Sequence, residues 1–368
     1  MRRVVVAVDS FKGSIHAAAA ATALADGWRS VDQHADLVIC PMADGGEGTL
    51  AACAAAVPGA QFMPVVVRGP HGREVAAAWL LLPDGSGVVE LASTSGIELL
   101  GPQRRPWDAD TVGFGQAIAA ARAHGVHRLV VGIGSSASTD AGVGMLRALG
   151  ARVRNARGSE VAPGLRGVVQ AASVDVSGLR GLSGAVVLSD VDNPLCGPTG
   201  AAAVYGPQKG LDAAGVARAD AALARFAALL SAALGVDDAV AAAPGAGAAG
   251  GTGFALRACG AQLVPGAVRI AELIGLGAAI ARADLVVTGE GSYDGQSVAG
   301  KVPAVVARMA ADAGIPVALV AGRIAADADT SRFAASVSLA DLAGSTEASL
   351  AEPARWLRAA GAALAAGS

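Results

Sequence analysis

The tightest constraint on this chain is a repeated grammar, in which a short β-branched run stops at an acid or a glycine and an alanine-rich helical stretch follows. "RRVVVAV" stops at Asp9 and leads into "SIHAAAAATALADGW", for which Ser14 is the expected N-cap. "ADLVICPM" ends just before Asp44. Near the C-terminus, "ADLVVTGEG" (283–291), "PAVVARMAADAG" and "PVALVAG" (316–322) repeat strand, helix, strand, and "LAEPARWLRAAGAALAAG" closes as an amphipathic helix. Parallel strands need a crossover that is usually helical, so the alternation specifies an α/β protein with a mainly parallel sheet.

The middle reads differently. "MPVVVRGPHGREVAAAWLLLP" is a hairpin turning at Gly69-Pro70-His71-Gly72. A helix near 111–124, the strand "HRLVVGIG", a Gly/Ser loop, a helix up to Gly150, the strand "GAVVLSDVDNPL" and a long alanine-rich helix over 211–235 follow. The expected architecture has two domains. Residues 1–60 and 276–368 form a discontinuous Rossmann- or flavodoxin-like parallel-sheet domain, residues 61–275 an inserted α/β domain, with an active-site cleft between them.

Composition narrows the chemistry. Although 53% of residues are hydrophobic, much of that is alanine, and no uninterrupted apolar run reaches the ~20 residues of a bilayer span. The apolar run after Met1-Arg2-Arg3 stops at Asp9, too soon for a signal-peptide core. The expected setting is the cytoplasm, with no membrane partner. A net charge of −3 and 3% aromatics argue against a nucleic-acid partner. Cys40, Cys53, Cys196 and Cys259 are widely spaced, without C-x-x-C, which argues against zinc and against a disulfide framework. Chemistry must rest on acids, hydroxyls, lysines and backbone amides. Self-assembly into a homo-oligomer stays open.

Polar residues gather where strands end: Asp9 to Gly13, Asp44 to Gly48, Gly132 to Asp140, Asp190 to Asn193, and Gly289-Glu290-Gly291. In open α/β sheets the ligand crevice lies beyond the carboxyl ends of the strands, and glycines let backbone N–H groups approach an anion. Five such loops point to a polyanionic ligand. Gly132 to Ala137 also fits G-x-G-x-x-G/A, the dinucleotide fingerprint, but Gly142 and Gly144 interrupt the helix it needs, and "GARVRN" ends in Asn155 where a ribose-binding acid belongs. An NAD-dependent oxidoreductase therefore stands only as an alternative. "GQSVAGKVP" (295–303) nearly matches a Walker loop. Its strand, however, ends seven residues too early, Val302 replaces the Ser/Thr that holds Mg²⁺, and Pro303 starts the helix after Lys301. Lys301 remains placed to meet a phosphate. "NPLCGPTGAAAVYGPQKG" presents Lys209 from a rigid loop, and "PGAGAAGGTG", with Gly245, Gly247, Gly250 and Gly251, permits either tight packing or a nucleotide against bare backbone.

Collected in order, "DSFKGS", "PMADGGEGT", "ELASTSGI", "GIGSSASTDAGVGMLRALG", "DVDNPLCGPTGAA", "YGPQKG", "PGAGAAGGTGF" and "TGEGSYDGQSVAGKVP" resemble the glycerate kinase family of the bacterial glycerate 2-kinase type, nearly end to end. The resemblance implies ATP- and Mg²⁺-dependent phosphorylation of D-glycerate to 2-phosphoglycerate; a kinase of a related small hydroxy acid is the nearest alternative, and a catalytically silent ligand-binding regulator a remoter one. Asp190 is then expected as base with Asp294 as rival, and Lys12 and Lys301 on the transferred phosphate or the substrate carboxylate. Asp9, Ser10, Ser135, Ser136, Thr139 and Asn193 would bind substrate. Gly245, Gly247, Gly250, Gly251, Lys209, Gly289 and Gly291 would bind nucleotide, and Asp44 and Glu290 the metal. Two departures stand out: Ser135 replaces a glycine common in the family, and Ser292 an arginine frequent after G-E-G.

Overall fold

The computed structural model describes residues 1–180, 182–294 and 301–367. The chain divides into two compact units, one of Met1–Asp44, Ala51–Pro58 and Pro265–Ser368, the other of Gly45–Leu50 and Gly59–Val264. In chain order the described strands are β1 (Arg3–Val8), β2 (Asp36–Ile39), β3 (Gln61–Arg68), β4 (Glu74–Leu81), β5 (Gly87–Glu90), β6 (Leu129–Gly132) and β7 (Arg152–Asn155). They continue with β8 (Ala171–Asp175), β9 (Val186–Leu188), β10 (Gln262–Val264), β11 (Leu285–Tyr293), β12 (Val317–Ile324) and β13 (Ala335–Ser338).

The first unit is built on a parallel sheet in the order β13-β12-β11-β1-β2. Counted within the unit this is 2-1-3-4-5, the flavodoxin-like doubly wound order. β1 is apolar because it is central: Val4 to Val8 are buried, and alternate side chains serve opposite faces. On one face Val4, Val6, Leu285 and Val287 meet Leu24, Trp28, Leu357 and Leu364. Those last four sit on the helices Ala17–Arg29 and Pro353–Ala366. The two helices cross at glycines. A Cβ on Gly27 would lie 1.9 Å from the Arg358 carbonyl oxygen, and one on Gly361 2.1 Å from that of Leu24. The helix Val302–Asp312 packs on β11 from the other face.

Ser14 does not cap the first helix. The helix starts at Ala17 behind His16, because residues 11–15 close a tight turn of their own. The Phe11 N–H donates to the Ile15 carbonyl and the Ser14 N–H to the Phe11 carbonyl, each at 2.9 Å, with Gly13 left-handed at φ 74°. That turn presents Lys12.

The second unit carries a six-stranded sheet, β10-β9-β6-β5-β4-β3, parallel except for the β3/β4 hairpin at its edge. The hairpin turns at Gly69 to Gly72 as expected, with Arg68 facing Glu74 across its mouth. "GARVRN" becomes β7, which pairs with β8 in an antiparallel ribbon separate from the main sheet, so it cannot be the second strand of a dinucleotide fold. The long helix Ala213–Leu234 is set by Asp212, whose carboxylate accepts the Gly215 N–H at 2.7 Å, and it stops at Gly235, left-handed at φ 67°. Its Phe226 joins Phe114 and Phe254 in the core. Among the described residues no helix is long and apolar enough to cross a membrane.

Candidate active site

In the first unit the chain leaves β1 and β11 in opposite directions, which opens a crevice at their carboxyl ends. Asp9 stands there, its amide donating to the Gly289 carbonyl at 2.9 Å and its carboxylate accepting the Ser10 N–H at 2.6 Å. Burial, then the charge of Asp44 and more weakly that of Glu290, push the Asp9 carboxyl well above the usual range, while the Ser10 N–H and Lys12 pull it back. Lys12 is exposed on its turn, and Lys301 occupies the N-cap of helix Val302–Asp312 with its Nζ 3.7 Å from Glu290 Oε2. Val302 itself takes the first helical position despite the proline after it. The rest of the near-Walker pattern, Gly295 to Gly300, lies outside the described residues. Asp294, half-buried, follows the end of β11.

The glycines around Glu290 serve the sheet. A Cβ on Gly289 would sit 2.0 Å from the Val320 carbonyl oxygen, and one on Gly291 3.1 Å from the Lys12 amide nitrogen. The structure thus brings Asp9, Ser10, Lys12, Asp44, Glu290 and Lys301 to one crest.

In the second unit the loop after β6 is almost wholly buried and tied from several sides. Ala137 N–H donates to the Ser95 carbonyl and Ala141 N–H to that of Gly250, both at 3.0 Å. Asp140 accepts four donors: Thr111 N–H (3.0 Å), Thr111 Oγ1–H (2.9 Å), Gly142 N–H (3.2 Å) and Gly144 N–H (3.1 Å). It is a brace. Lys209, expected on nucleotide, is 3% exposed and donates to Ser136 Oγ at 2.8 Å and to the Ser138 carbonyl at 2.5 Å. Burial pushes its ammonium down to about 7, opposed by the charge of Asp140. Ser138 Oγ and Thr139 Oγ1 are buried without a hydrogen-bond partner among the described residues.

Asp190 stands half-buried two residues past β9. Asn193 is engaged at both ends of its amide, donating to the Thr199 carbonyl (2.7 Å) and accepting from Tyr205 Oη (2.6 Å). The glycine-rich loop is spent on packing: a Cβ would lie 2.7 Å from Leu263 at Gly245, 2.3 Å from the Pro194 oxygen at Gly247, 2.2 Å from the Ser138 oxygen at Gly250 and 2.7 Å from Leu195 at Gly251.

A family profile described as the glycerate kinase family matches residues 4–367. The chain belongs to the glycerate kinase family. It is 42% identical over 333 residues to the glycerate kinase of Bacillus subtilis (strain 168), covering 89% of this chain and 86% of that one. With the glycerate 2-kinase of Escherichia coli (strain K12) it shares 40% identity, over 88% of this chain and 86% of the relative. A crystal structure from Salmonella typhimurium LT2, named provisionally as glycerate kinase 2, superposes with a TM-score of 0.84 at 40% identity, covering 100% of this chain and 98% of the other. The chain is accordingly an enzyme, a kinase of that family.

Within the glycerate kinase frame, Ser135 has a physical cost. Among the described residues only Ser135 (φ 59°), Ala141 (φ 50°) and Ala249 (φ 52°) are left-handed without being glycine, and all three sit in the loops around Lys209. A glycine at 135 meets no such penalty. Ser135→Gly is expected to raise stability by about 0.5–1 kcal/mol in urea unfolding, because relief of left-handed strain outweighs the added freedom of the unfolded chain; a loss of stability would show that the hydroxyl holds the loop.

Glu90 escaped the sequence reading although it ends β5 as Asp9 follows β1. Its Oε2 accepts the Leu50 N–H at 3.1 Å, and burial pushes it up to about 7 against the N–H groups of Leu50, Gly48 and Thr49. The folded state therefore keeps this proton where the unfolded chain has lost it. Glu90's contribution is full below the unfolded carboxyl range, near 4.5, and is lost as pH rises through about 7. Glu90→Gln is thus expected to gain about 2–3 kcal/mol relative to wild type between pH 5 and pH 8. Urea unfolding at both pH values checks this, and a constant difference would refute it.

Proposed function

We propose that the chain transfers the γ-phosphoryl group of ATP to D-glycerate, giving 2-phosphoglycerate and ADP, in the cytoplasm. The observation that carries this reading is the gathering of Lys12, Lys301, Asp9, Asp44 and Glu290 at the doubly wound switch point in a chain of this family. Phosphoryl transfer needs positioning and charge neutralisation more than covalent chemistry. The 2-hydroxyl oxygen bonds to the γ-phosphorus, the bond from that phosphorus to the ADP oxygen breaks, and the hydroxyl proton passes to the Asp190 carboxylate, with Asp294 as the rival acceptor. Lys12 and Lys301 face the equatorial oxygens of the moving group. Ser10 and the Ser135–Thr139 loop hold glycerate, and Gly289 and Gly291, whose missing side chains let the strands close at this crest, flank the nucleotide.

Among the described residues no group of three or more His, Cys, Asp or Glu side chains could hold a metal by itself. Asp44 and Glu290 still fit magnesium, which takes one or two carboxylates and completes its shell with water and phosphate oxygens. The like charge that crowds Asp9 is what such a cation relieves. Magnesium would supply neutralisation of the phosphate chain.

Incubation with ATP, Mg²⁺ and D-glycerate tests the proposal by ADP formation. Enolase added without mutase then consumes the 2-phospho product and leaves the 3-phospho product untouched. Turnover of a related hydroxy acid in place of glycerate would support the nearest alternative, and no ADP with any such acid would overturn the kinase reading for this chain.

A further inference from the structure

Ser292 stands where the resemblance implies an arginine, and the neighbouring strand carries one beside it. In the parallel pairing of β11 with β12, Ser292 is the register partner of Arg323, just as Glu290 partners Ala321. Register partners on adjacent strands stand about 5 Å apart and project to the same face. Residues two apart on one strand share that face as well, so Glu290, Ser292 and Arg323 all lie on it. It is the face on which Lys301 meets Glu290, and the one opposite Leu285 and Val287. Arg323 is exposed, one residue before the end of β12, past the last pairing with β13 at Ala321 and Ser338.

The charges at this crest also call for it. Asp9, Asp44 and Glu290 crowd one another, against the ammonium groups of Lys12 and Lys301. A nucleotide's phosphate chain adds more negative charge than two lysines offset. A guanidinium suits the remaining place, because its planar fork binds two phosphate oxygens at once where an ammonium is a single point charge.

We propose that Arg323 supplies, from the strand next door, the guanidinium that position 292 lacks, and that it grips the phosphate chain of the donor nucleotide. This rests on the kinase reading above and adds a specific residue to it. Arg323→Ser is expected to raise the KM for ATP by about 10–100-fold, the scale of a lost charge-assisted pair, with the KM for D-glycerate held within about 2-fold, a change worth under 0.5 kcal/mol. Arg323→Lys recovers only part. The decisive variant carries Arg323→Ser together with Ser292→Arg, which returns the guanidinium to the same face and brings the KM for ATP back to within about 3-fold of wild type, or about 0.7 kcal/mol. An unchanged KM for ATP in Arg323→Ser overturns the proposal, as does a double variant no better than the single one. If the wild-type protein turns over no hydroxy acid, the kinase reading fails by itself. Calorimetric titration of the same variants with ATP then tests Arg323 independently, and equal affinities across them overturn it.

Discussion

Asp190→Asn is expected to bind ATP as the wild-type protein does and to turn over about 10²–10⁴-fold more slowly, the usual scale for losing a general base. Asparagine keeps the shape of the side chain at the end of β9 but cannot take up a proton. The loss should therefore fall on kcat, with both substrates still binding. Asp294→Asn in parallel identifies the base, because whichever variant loses kcat while retaining ATP affinity carries the proton. Wild-type turnover in Asp190→Asn would remove that residue from the chemistry. The brace around it is part of the expectation. Asn193, three residues on, has its amide locked between Thr199 and Tyr205, which fixes the backbone from which Asp190 projects.

The second large effect is on stability. Gly250→Ala places a methyl 2.2 Å from the Ser138 carbonyl oxygen, on a residue whose φ is 65°. The carbonyl cannot step aside cheaply, because the Lys209 ammonium holds it at 2.5 Å. The cost combines steric overlap with left-handed strain and is expected to reach about 3 kcal/mol or more. Chemical denaturation of the full chain checks it, following the melting of the second unit. A loss below about 1 kcal/mol would mean that the loop yields easily, against its many ties. The same substitution separates packing from ligand contact. If the glycines served only a nucleotide, ATP affinity would fall while stability held.

The strands and the polar loops at their ends were legible because both are local. An apolar run stopped by an acid needs no tertiary information, and enough of them in order specify a doubly wound sheet. What stayed hidden depends on neighbours remote in sequence. Ser14 looked like a helix cap, but a backbone turn between Phe11 and Ile15 claims its place. Lys209 looked presented to an anion by a Pro/Gly-rich loop, yet it runs inward to Ser136 and Ser138, 73 and 71 residues away. The glycines at 245–251 read equally well as packing or as ligand contact until the atoms beside each were known. Arg323 could be noticed only through the register of β12 against β11, which no spacing along the chain encodes.

The crossing of helix Ala17–Arg29 with helix Pro353–Ala366 at Gly27 and Gly361 has a consequence for biosynthesis. Helix Ala17–Arg29 meets its partner only after residues 30–352 have been made, and β1 must wait for β11 in the same way. At about 5–20 residues per second, helix Ala17–Arg29 and the β11 side of β1 lack those partners for tens of seconds, while residues 59–264, with every strand of their own sheet already translated, are free to fold. Nascent chains arrested before residue 353 should therefore carry a protease-resistant second unit and a cleavable first one. The apolar "VVVAV" would be the segment most in need of a chaperone during that interval.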